Sequence, residues 1–145
     1  MISAAVLSLA ILSLFAGAAA EPVDPASETV AAYGAAWNET DVEKRRELLE
    51  KAWAEDGVYT DPTAEVHGRE ALLAHITGFQ AQSGGARIVL TTAVDSHHGT
   101  RLRFGWKMVG ADGTELAEGL DYGELDDDGR LRLIVGFVGP MKPLE

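Results

Sequence analysis

The side chains best suited to proton transfer in this sequence are Asp61, Asp121 and Tyr33. In an apolar pocket the pKa of a carboxylic acid rises, so one of two carboxyl groups can stay protonated while the other is ionised. The ionised group can then accept a proton, and the protonated group can donate a hydrogen bond. A tyrosine hydroxyl beside them would share the negative charge that develops on a carbonyl oxygen of a substrate. If the three groups meet in one hollow, they support proton abstraction next to a carbonyl, without a metal or a cofactor.

Asp121 lies in the stretch Glu115–Tyr122, which is flanked by turn-forming residues and is typical of a β-strand. Because side chains alternate across a strand, one face carries Asp121 together with Ala117, Gly119 and Gly123. Small residues on a sheet leave a cavity or admit another backbone closely. The stretch therefore predicts a pocket floor with one acid in it. A sheet that curves at the two glycines, with Asp121 in solvent, is the alternative.

Three helices are predicted from apolar residues that recur at spacings of three and four, over residues 25–38, 41–54 and 68–82. Asp24 is the expected N-cap of the first helix, which carries Tyr33 on its apolar stripe. Thr40 and Glu43 would form a capping box at the start of the second helix. The third helix carries Phe79 on its apolar side.

Strands are predicted over residues 58–61, 86–94, 100–109, 115–122 and 130–138. The first is short and ends at Pro62, and the last four follow one another with turns between them. This order of elements favours an α+β fold, in which a cone-shaped, curved antiparallel sheet wraps around three N-terminal helices. Pockets form in the mouths of such sheets, and Asp61, Asp121 and Tyr33 would face this one if the helices pack in the concavity.

The overall composition excludes several classes of protein. A chain of 145 residues is expected to form one domain. The formal net charge of −11 repels phosphate groups, so we expect no binding to nucleic acid. The absence of cysteine excludes disulfides, thiolate metal sites and a cysteine nucleophile. The partner that remains is a small apolar molecule.

The first 20 residues have the pattern of an export signal. An apolar run leads into the small residues 16–20, after which cleavage would leave a chain that begins at Glu21. The run is too short for a comfortable membrane span, which needs about 20 residues. No lysine or arginine precedes it, so an uncleaved anchor or a misassigned start is the alternative. We expect residues 21–145 to be one domain, exported to the periplasm or secreted, or cytoplasmic if the segment is not a working signal.

The sequence resembles the nuclear transport factor 2-like superfamily over about residues 27–140, and within it the SnoaL-like polyketide cyclases and the ketosteroid isomerases. The residues that carry the resemblance are Tyr33 to Asn38, Asp41, Glu55 to Pro62, Gly68, Leu120 to Tyr122, and Asp128 with Gly129. The resemblance implies a cone-shaped α+β barrel that commonly forms a dimer through its sheet. In ketosteroid isomerases the acid before the proline is the base, and a helix tyrosine and a mid-strand acid donate to the oxyanion. These roles would fall on Asp61, Tyr33 and Asp121.

Several other side chains are candidates for the pocket wall. They are Trp37, Tyr59, Phe79, His97 and Trp106. Two tryptophans and the His97-His98 pair depart from the isomerase pattern and would change the shape of the pocket. The adjacent histidines make a poor metal pair because neighbouring side chains diverge, so we expect no metal site.

Two further functions stay open. The first is a non-catalytic module that holds an apolar ligand or takes part in assembly, which acids out of reach of each other would favour. The second is an epoxide hydrolase of the limonene-epoxide type, whose Asp-Arg-Asp set positions water. Asp61 and Asp121 could serve in such a set, but no Arg-x-Asp pair stands on a predicted strand.

Overall fold

The computed structural model describes residues 23–145, so the expected export signal lies outside the described residues. Three helices and seven strands follow in the order α1 (Pro25–Asn38), α2 (Val42–Ala52), β1 (Trp53–Thr60), β2 (Glu65–His67), α3 (Arg69–Gln82), β3 (Arg87–Leu90), β4 (Asp95–His97), β5 (Arg101–Val109), β6 (Glu115–Leu125) and β7 (Leu131–Val138). Within this part of the chain no helix is long and apolar enough to span a membrane.

All seven strands belong to one curved, open sheet. Its order is β2-β1-β7-β6-β5-β3, and β4 pairs with β5 beside this path. The predicted α+β architecture, with a curved sheet on three helices, is confirmed. The sheet is mixed rather than antiparallel, because β1 runs parallel to its neighbour β7. This pairing joins strands from the two ends of the domain and places β7 between β1 and β6.

Helix α2 differs from the sequence prediction in its N-cap and in the residue at which it ends. The cap is Asp41 rather than a box of Thr40 and Glu43, since the Asp41 carboxylate accepts from the backbone N–H groups of Glu43 and Lys44. A negative charge at this position also suits the positive end of the helix. The helix ends at Ala52, and the next residue already begins β1. Two three-residue strands, β2 and β4, were not predicted, because such short segments carry too little periodicity to be recognised.

The core lies between the helices and the concave face of the sheet. Its fully buried side chains include Val30, Ala36, Leu49, Trp53, Leu72, Ile76, Leu131 and Ile134. Inward-facing positions of β5, β6 and β7 alternate with outward-facing ones, as the sequence pattern predicts. The apolar core therefore holds the helices in the hollow of the sheet, where the functional side chains meet.

A buried arginine connects the three helices. Arg45 of α2 is only 1% exposed, and its guanidinium donates to the Glu39 carbonyl just beyond α1 and to Thr77 Oγ1 and Gln80 Oε1 of α3. The Gln80 amide in turn donates to the carbonyls of Trp37 and Glu39. This network satisfies carbonyl groups at the end of α1, where the helix leaves them without partners, and it fixes the end of α1 that carries Trp37.

Candidate functional site

A cavity of about 490 Å³ opens between the concave face of the sheet and helices α1 and α3. Two carboxyl groups reach it, from Asp61 and Asp121. Six phenylalanine, tyrosine and tryptophan side chains line it: Tyr33, Trp37, Tyr59, Phe79, Phe104 and Trp106. No lysine or arginine is among the lining residues of the described chain. The cavity is thus apolar, with an excess of negative charge.

Asp121 is the buried acid of the cavity. It lies on an inward-facing position of β6 and is 6% exposed. The indole N–H of Trp106 donates to its Oδ1 over 2.8 Å. Burial raises the pKa of Asp121 to about 6, helped by the charge of Asp61 and opposed by the hydrogen bond from Trp106. The group can therefore change its protonation state close to neutral pH.

Asp61 has a different environment, at the end of β1 and before Pro62. Its Oδ2 accepts a hydrogen bond from the Tyr59 hydroxyl at 2.7 Å. Its Oδ1 accepts from the Thr63 backbone N–H at 2.7 Å, the Thr63 hydroxyl at 2.8 Å and the Ala64 N–H at 2.8 Å. Burial by itself would raise the pKa of Asp61, but these four donors outweigh it and hold the pKa below its ordinary value. Asp61 is thus ionised at neutral pH and already bonded through both oxygens.

Gly136 of β7 lies between the two acids. It is the cross-strand partner of Asp121. A Cβ atom added at Gly136 would lie 3.2 Å from Asp121 Oδ1 and 3.5 Å from Asp61 Cβ. The two carboxyl groups therefore flank one point of β7 on the same side of the sheet, and a larger residue at this point would fill the space between them.

Tyr33 reaches the cavity from α1. It is 3% exposed, and its ring stacks on Trp53 with centroids 5.7 Å apart and meets Trp37 edge-on at 6.3 Å. Burial raises the pKa of Tyr33 well above its ordinary value, and the nearby charge of Asp121 adds to this. The hydroxyl keeps its proton at neutral pH and can donate a hydrogen bond to an acceptor in the cavity.

The outer wall of the cavity is an aromatic cluster around Trp37. Its ring centroid lies 5.6 Å from that of Tyr59 and 5.4 Å from that of Phe79. His75 of α3 completes the cluster, 5.9 Å from Trp37 and 5.5 Å from Tyr59. His75 was not predicted from the sequence to be a pocket residue. The signal was present, since it stands three residues after Leu72 and four before Phe79, on the same side of the helix.

His97, expected in the pocket wall, does not line this cavity. It lies on the exposed strand β4, which pairs with the first half of β5 beside the main path of the sheet. Its nearest hollow is a separate one of about 230 Å³, shared with Asp95 and Arg103. The strand places the histidine pair at the edge of the sheet, away from the helices that close the cavity. Among residues 23–145 no group of three or more histidines and acids is arranged to hold a metal ion.

The small residues of β6 are covered differently from one another. Ala117 and Asp121 line the cavity. Gly119 lies under the Trp106 ring, and core side chains pack against Gly123, with Leu102 closest. The face of β6 that carries the small residues therefore borders the cavity only at Ala117 and Asp121. Side chains from neighbouring strands pack directly against Gly119 and Gly123.

Chemically, the site combines a buried acid that titrates near neutrality, an ionised acid close to it and a neutral phenol. This set can remove a proton from an apolar molecule and stabilise the resulting negative charge. An Asp-Arg-Asp set for epoxide opening lacks its arginine among the described residues that line the cavity.

Comparison with known proteins gives consistent matches. Residues 30–134 match the SnoaL-like domain family. A proposed isomerase of the SnoaL-like family from Agrobacterium tumefaciens is 36% identical over 80% of this chain and 98% of its own, with a TM-score of 0.75. A nuclear transport factor 2-like protein of unknown function from Exiguobacterium shares the fold at 18% identity, covering 78% of this chain and 99% of its own, with a TM-score of 0.63.

A third solved structure has a ketosteroid isomerase-like fold. It comes from Catenulispora acidiphila and was obtained in complex with trimethylamine. It is 16% identical, covers 76% of this chain and 84% of its own, and superposes with a TM-score of 0.60. No curated protein sequence matches this chain significantly.

Proposed function

This chain belongs to the SnoaL-like domain family, and from that premise we propose that it is a cofactor-independent acid–base enzyme of the isomerase or cyclase type. The reaction is the removal of a proton next to a carbonyl group of an apolar substrate. The observation that carries the proposal is Asp121, an almost fully buried acid that faces an apolar cavity and has a pKa of about 6. A catalytic base works best when its pKa lies near the working pH.

In this proposal Asp121 takes the proton. The hydrogen bonding of Asp61 argues against the role of base that the resemblance assigns to it. Both of its oxygens already accept hydrogen bonds, and its pKa is lowered, so it is a weak base. Asp61 instead holds Tyr59 in place, and its charge helps to raise the pKa of Asp121.

Tyr33 is the proposed donor to the oxyanion. Its hydroxyl stays neutral because burial and the charge of Asp121 raise its pKa. A neutral phenol in a dry cavity can donate to the negative oxygen that forms as the substrate loses its proton. Removal of one such donor typically costs about 10²- to 10³-fold in rate.

The proposed substrate is an apolar molecule that carries no negative charge. The lining residues of the described chain include no lysine or arginine to bind a carboxylate or phosphate, and the ionised Asp61 repels such groups. A volume of about 490 Å³ is that of an ordinary small-molecule pocket. The aromatic wall favours a flat, cyclic body.

A carbon acid that exchanges its hydrogen for deuterium tests the proposal without knowledge of the natural substrate. We suggest 2-tetralone, a flat cyclic ketone, in D₂O buffers from about pH 4 to pH 8, with deuterium uptake followed by NMR. The enzyme-dependent rate should rise with pH through a midpoint of about 6, since Asp121 must be ionised to act as a base. A rate that falls above this pH would assign Asp121 as the hydrogen-bond donor instead. Binding of the ketone without any exchange would favour the non-catalytic alternative.

We also propose a homodimer that forms through the outer face of the sheet. Leu120 of β6 and Phe137 of β7 are direct cross-strand partners, yet they are 40% and 57% exposed. Leu116 lies on the same face of β6, beyond Glu118, and is 55% exposed. Adjacent exposed apolar side chains on the surface of a sheet are typical of a protein interface.

Phe137→Arg should convert the dimer to a monomer, because it would place a charge directly beside Leu120 in the proposed interface. The loss of an interface anchor of this kind weakens binding by about 2 kcal/mol or more, roughly 30-fold. Sedimentation velocity gives the measurement. Leu144→Arg is the matched control, since Leu144 is equally apolar and fully exposed but lies outside the sheet. A wild-type protein that sediments as a monomer at high concentration would contradict the dimer.

Export remains a further proposal, supported by the apolar run and the small residues that precede Glu21. The protein recovered from the native host should have lost residues 1–20. Intact-mass spectrometry should then give a chain that starts at Glu21, and an intact Met1 would exclude cleavage.

A further inference from the structure

We propose that Trp106 is a positioning residue that fixes which oxygen of Asp121 exchanges the proton. The inference rests on the proposed role of Asp121 as the base. The indole N–H of Trp106 donates to Asp121 Oδ1 over 2.8 Å, and Oδ2 accepts no hydrogen bond from residues 23–145. The two oxygens of this carboxyl group are therefore not equivalent.

The register of the sheet makes this contact unusual. Trp106 on β5 is the cross-strand partner of Gly119, whereas Asp121 is the partner of Phe104. All of these residues face the concave side, so the indole must lean along β6, over Gly119, to meet the carboxylate two residues farther on. The hydrogen bond thus joins diagonal neighbours, which lie farther apart than direct partners.

Gly119 makes this arrangement possible. A Cβ atom at this position would lie 2.4 Å from Trp106 Cζ2 and 2.7 Å from Cε2. It would also lie 2.3 Å from the Phe137 carbonyl oxygen, so any side chain would disturb both the ring and the strand. The ring therefore lies directly on the backbone of β6, which supports it from below and limits its rotation.

The chemistry of the indole decides which carboxyl oxygen carries the proton. An indole N–H can donate a hydrogen bond but cannot accept one. Asp121 Oδ1 must consequently stay an acceptor in both protonation states, and the proton of the neutral acid resides on Oδ2. In the proposed reaction the C–H bond of the substrate breaks, its electron pair remains as the enolate, and the proton forms an O–H bond with Oδ2. The same oxygen returns the proton when the product forms.

The hydrogen bond from Trp106 also favours the ionised carboxylate. It opposes the effect of burial, which is the larger of the two. Without it, the midpoint of Asp121 titration should rise by about one to two pH units, the effect expected of a hydrogen bond to a charged group. The exchange–pH profile of 2-tetralone should move by the same amount.

NMR titration tests the proposal without a substrate. In the ¹⁵N-labelled full chain, one indole N–H resonance should shift with pH, with a midpoint of about 6. That resonance should be missing in Trp106→Phe and should not respond to pH in Asp121→Asn. Replacement of Trp106 by β-(3-benzothienyl)alanine keeps the size of the ring and removes only the N–H group. In both Trp106 variants the ¹³C signal of the Asp121 carboxyl should titrate at higher pH.

Two results would overturn the inference. One is a set of indole resonances that stay flat between about pH 4 and pH 8 in the wild-type protein. The other is an unchanged Asp121 midpoint in the benzothienyl variant, which would reduce Trp106 to a space-filling residue. Circular dichroism would verify that each variant is folded. If the Trp106 indole and the Asp121 carboxyl titrate as expected but 2-tetralone does not exchange, the proposed function is overturned. The hydrogen bond between Trp106 and Asp121 would still be supported.

Discussion

Asp121→Asn should reduce the enzyme-dependent exchange of 2-tetralone by about 10²- to 10⁴-fold at pH 8, the usual contribution of a general base. Asparagine has nearly the size of aspartate, so the cavity and the acceptor for Trp106 are preserved while the base is lost. Asp127→Asn is the matched control, because Asp127 lies exposed in the turn between β6 and β7. Its rate should equal that of the wild-type protein.

Asp61→Asn distinguishes our assignment of Asp121 as the base from the assignment of Asp61 that the resemblance implies. In our proposal Asp61 acts through its charge, so its loss should lower the midpoint of the pH profile and leave much of the plateau rate. If Asp61→Asn abolished exchange and Asp121→Asn did not, the roles of the ketosteroid isomerase pattern would apply, with Asp61 as the base.

The same Asp121→Asn variant should be more stable than the wild-type protein above pH 6. The pKa of Asp121 is about 6 in the folded protein and 3.8 as its ordinary value. Between these values the folded state binds more protons than the unfolded state, so the wild-type protein loses stability as the pH rises through this window. A change of about two pKa units corresponds to about 3 kcal/mol. The variant has no such loss.

Urea unfolding at pH 4 and at pH 7.5 gives the measurement. The free energy of unfolding of the variant relative to the wild-type protein should increase by up to about 3 kcal/mol between the two conditions. An equal difference at both pH values would show that Asp121 titrates normally. Both Asp121→Asn predictions would then lose their basis, because an acid with an ordinary pKa is a poor base at neutral pH.

Arg45→Ala should destabilise the protein by about 3–5 kcal/mol, the largest effect expected of a single substitution here. The side chain is 1% exposed, and its loss leaves the Glu39 carbonyl, Thr77 and Gln80 without their common donor. A cavity of the size of the arginine side chain would add to the cost. Urea or thermal unfolding measures the change.

Arg46→Ala is a close control because it removes the adjacent arginine of the same helix. The Arg46 side chain is 34% exposed and pairs with Glu43 and Glu70 at the surface. Such ion pairs contribute about 0–1 kcal/mol. Arg45→Lys should fall between the two, since a compact ammonium group has three donors and lacks the planar five-donor fork of a guanidinium. Similar stabilities for Arg45→Ala and Arg46→Ala would show that the network contributes little.

Local signals in the sequence allowed accurate prediction at several positions, although the capping box expected at α2 was wrong. Asp24 before Pro25 marks the start of α1, and the structure has this cap. Alternation along β6 placed Asp121 on the inward face, because neighbouring side chains of a strand must point to opposite sides. The Asp61-Pro62 pair marked the end of β1 for a similar reason, since proline restricts the residue before it.

Other features of the site depend on which strands are neighbours. The parallel pairing of β1 with β7 brings Asp61 to Gly136, and the pairing of β7 with β6 brings Gly136 to Asp121. The imidazole of His97 is chemically suited to a functional site, but His97 lies on β4 at the edge of the sheet. No spacing in the sequence distinguishes these outcomes.

What the sequence determined by itself is the three helices, the five longer strands, their inward faces and the presence of two acids and a tyrosine suited to proton transfer. Helix capping, strand alternation and proline geometry act within a few residues, so the order of residues contains them. The tertiary structure decided that Asp121 is buried and that Trp106 reaches across Gly119 to donate to one of its oxygens. The donors to Asp61 lie within three residues of it, whereas the pKa of Asp121 depends on burial and on an indole 15 residues away. The difference between the two acids therefore arises only when the sheet has folded around its helices.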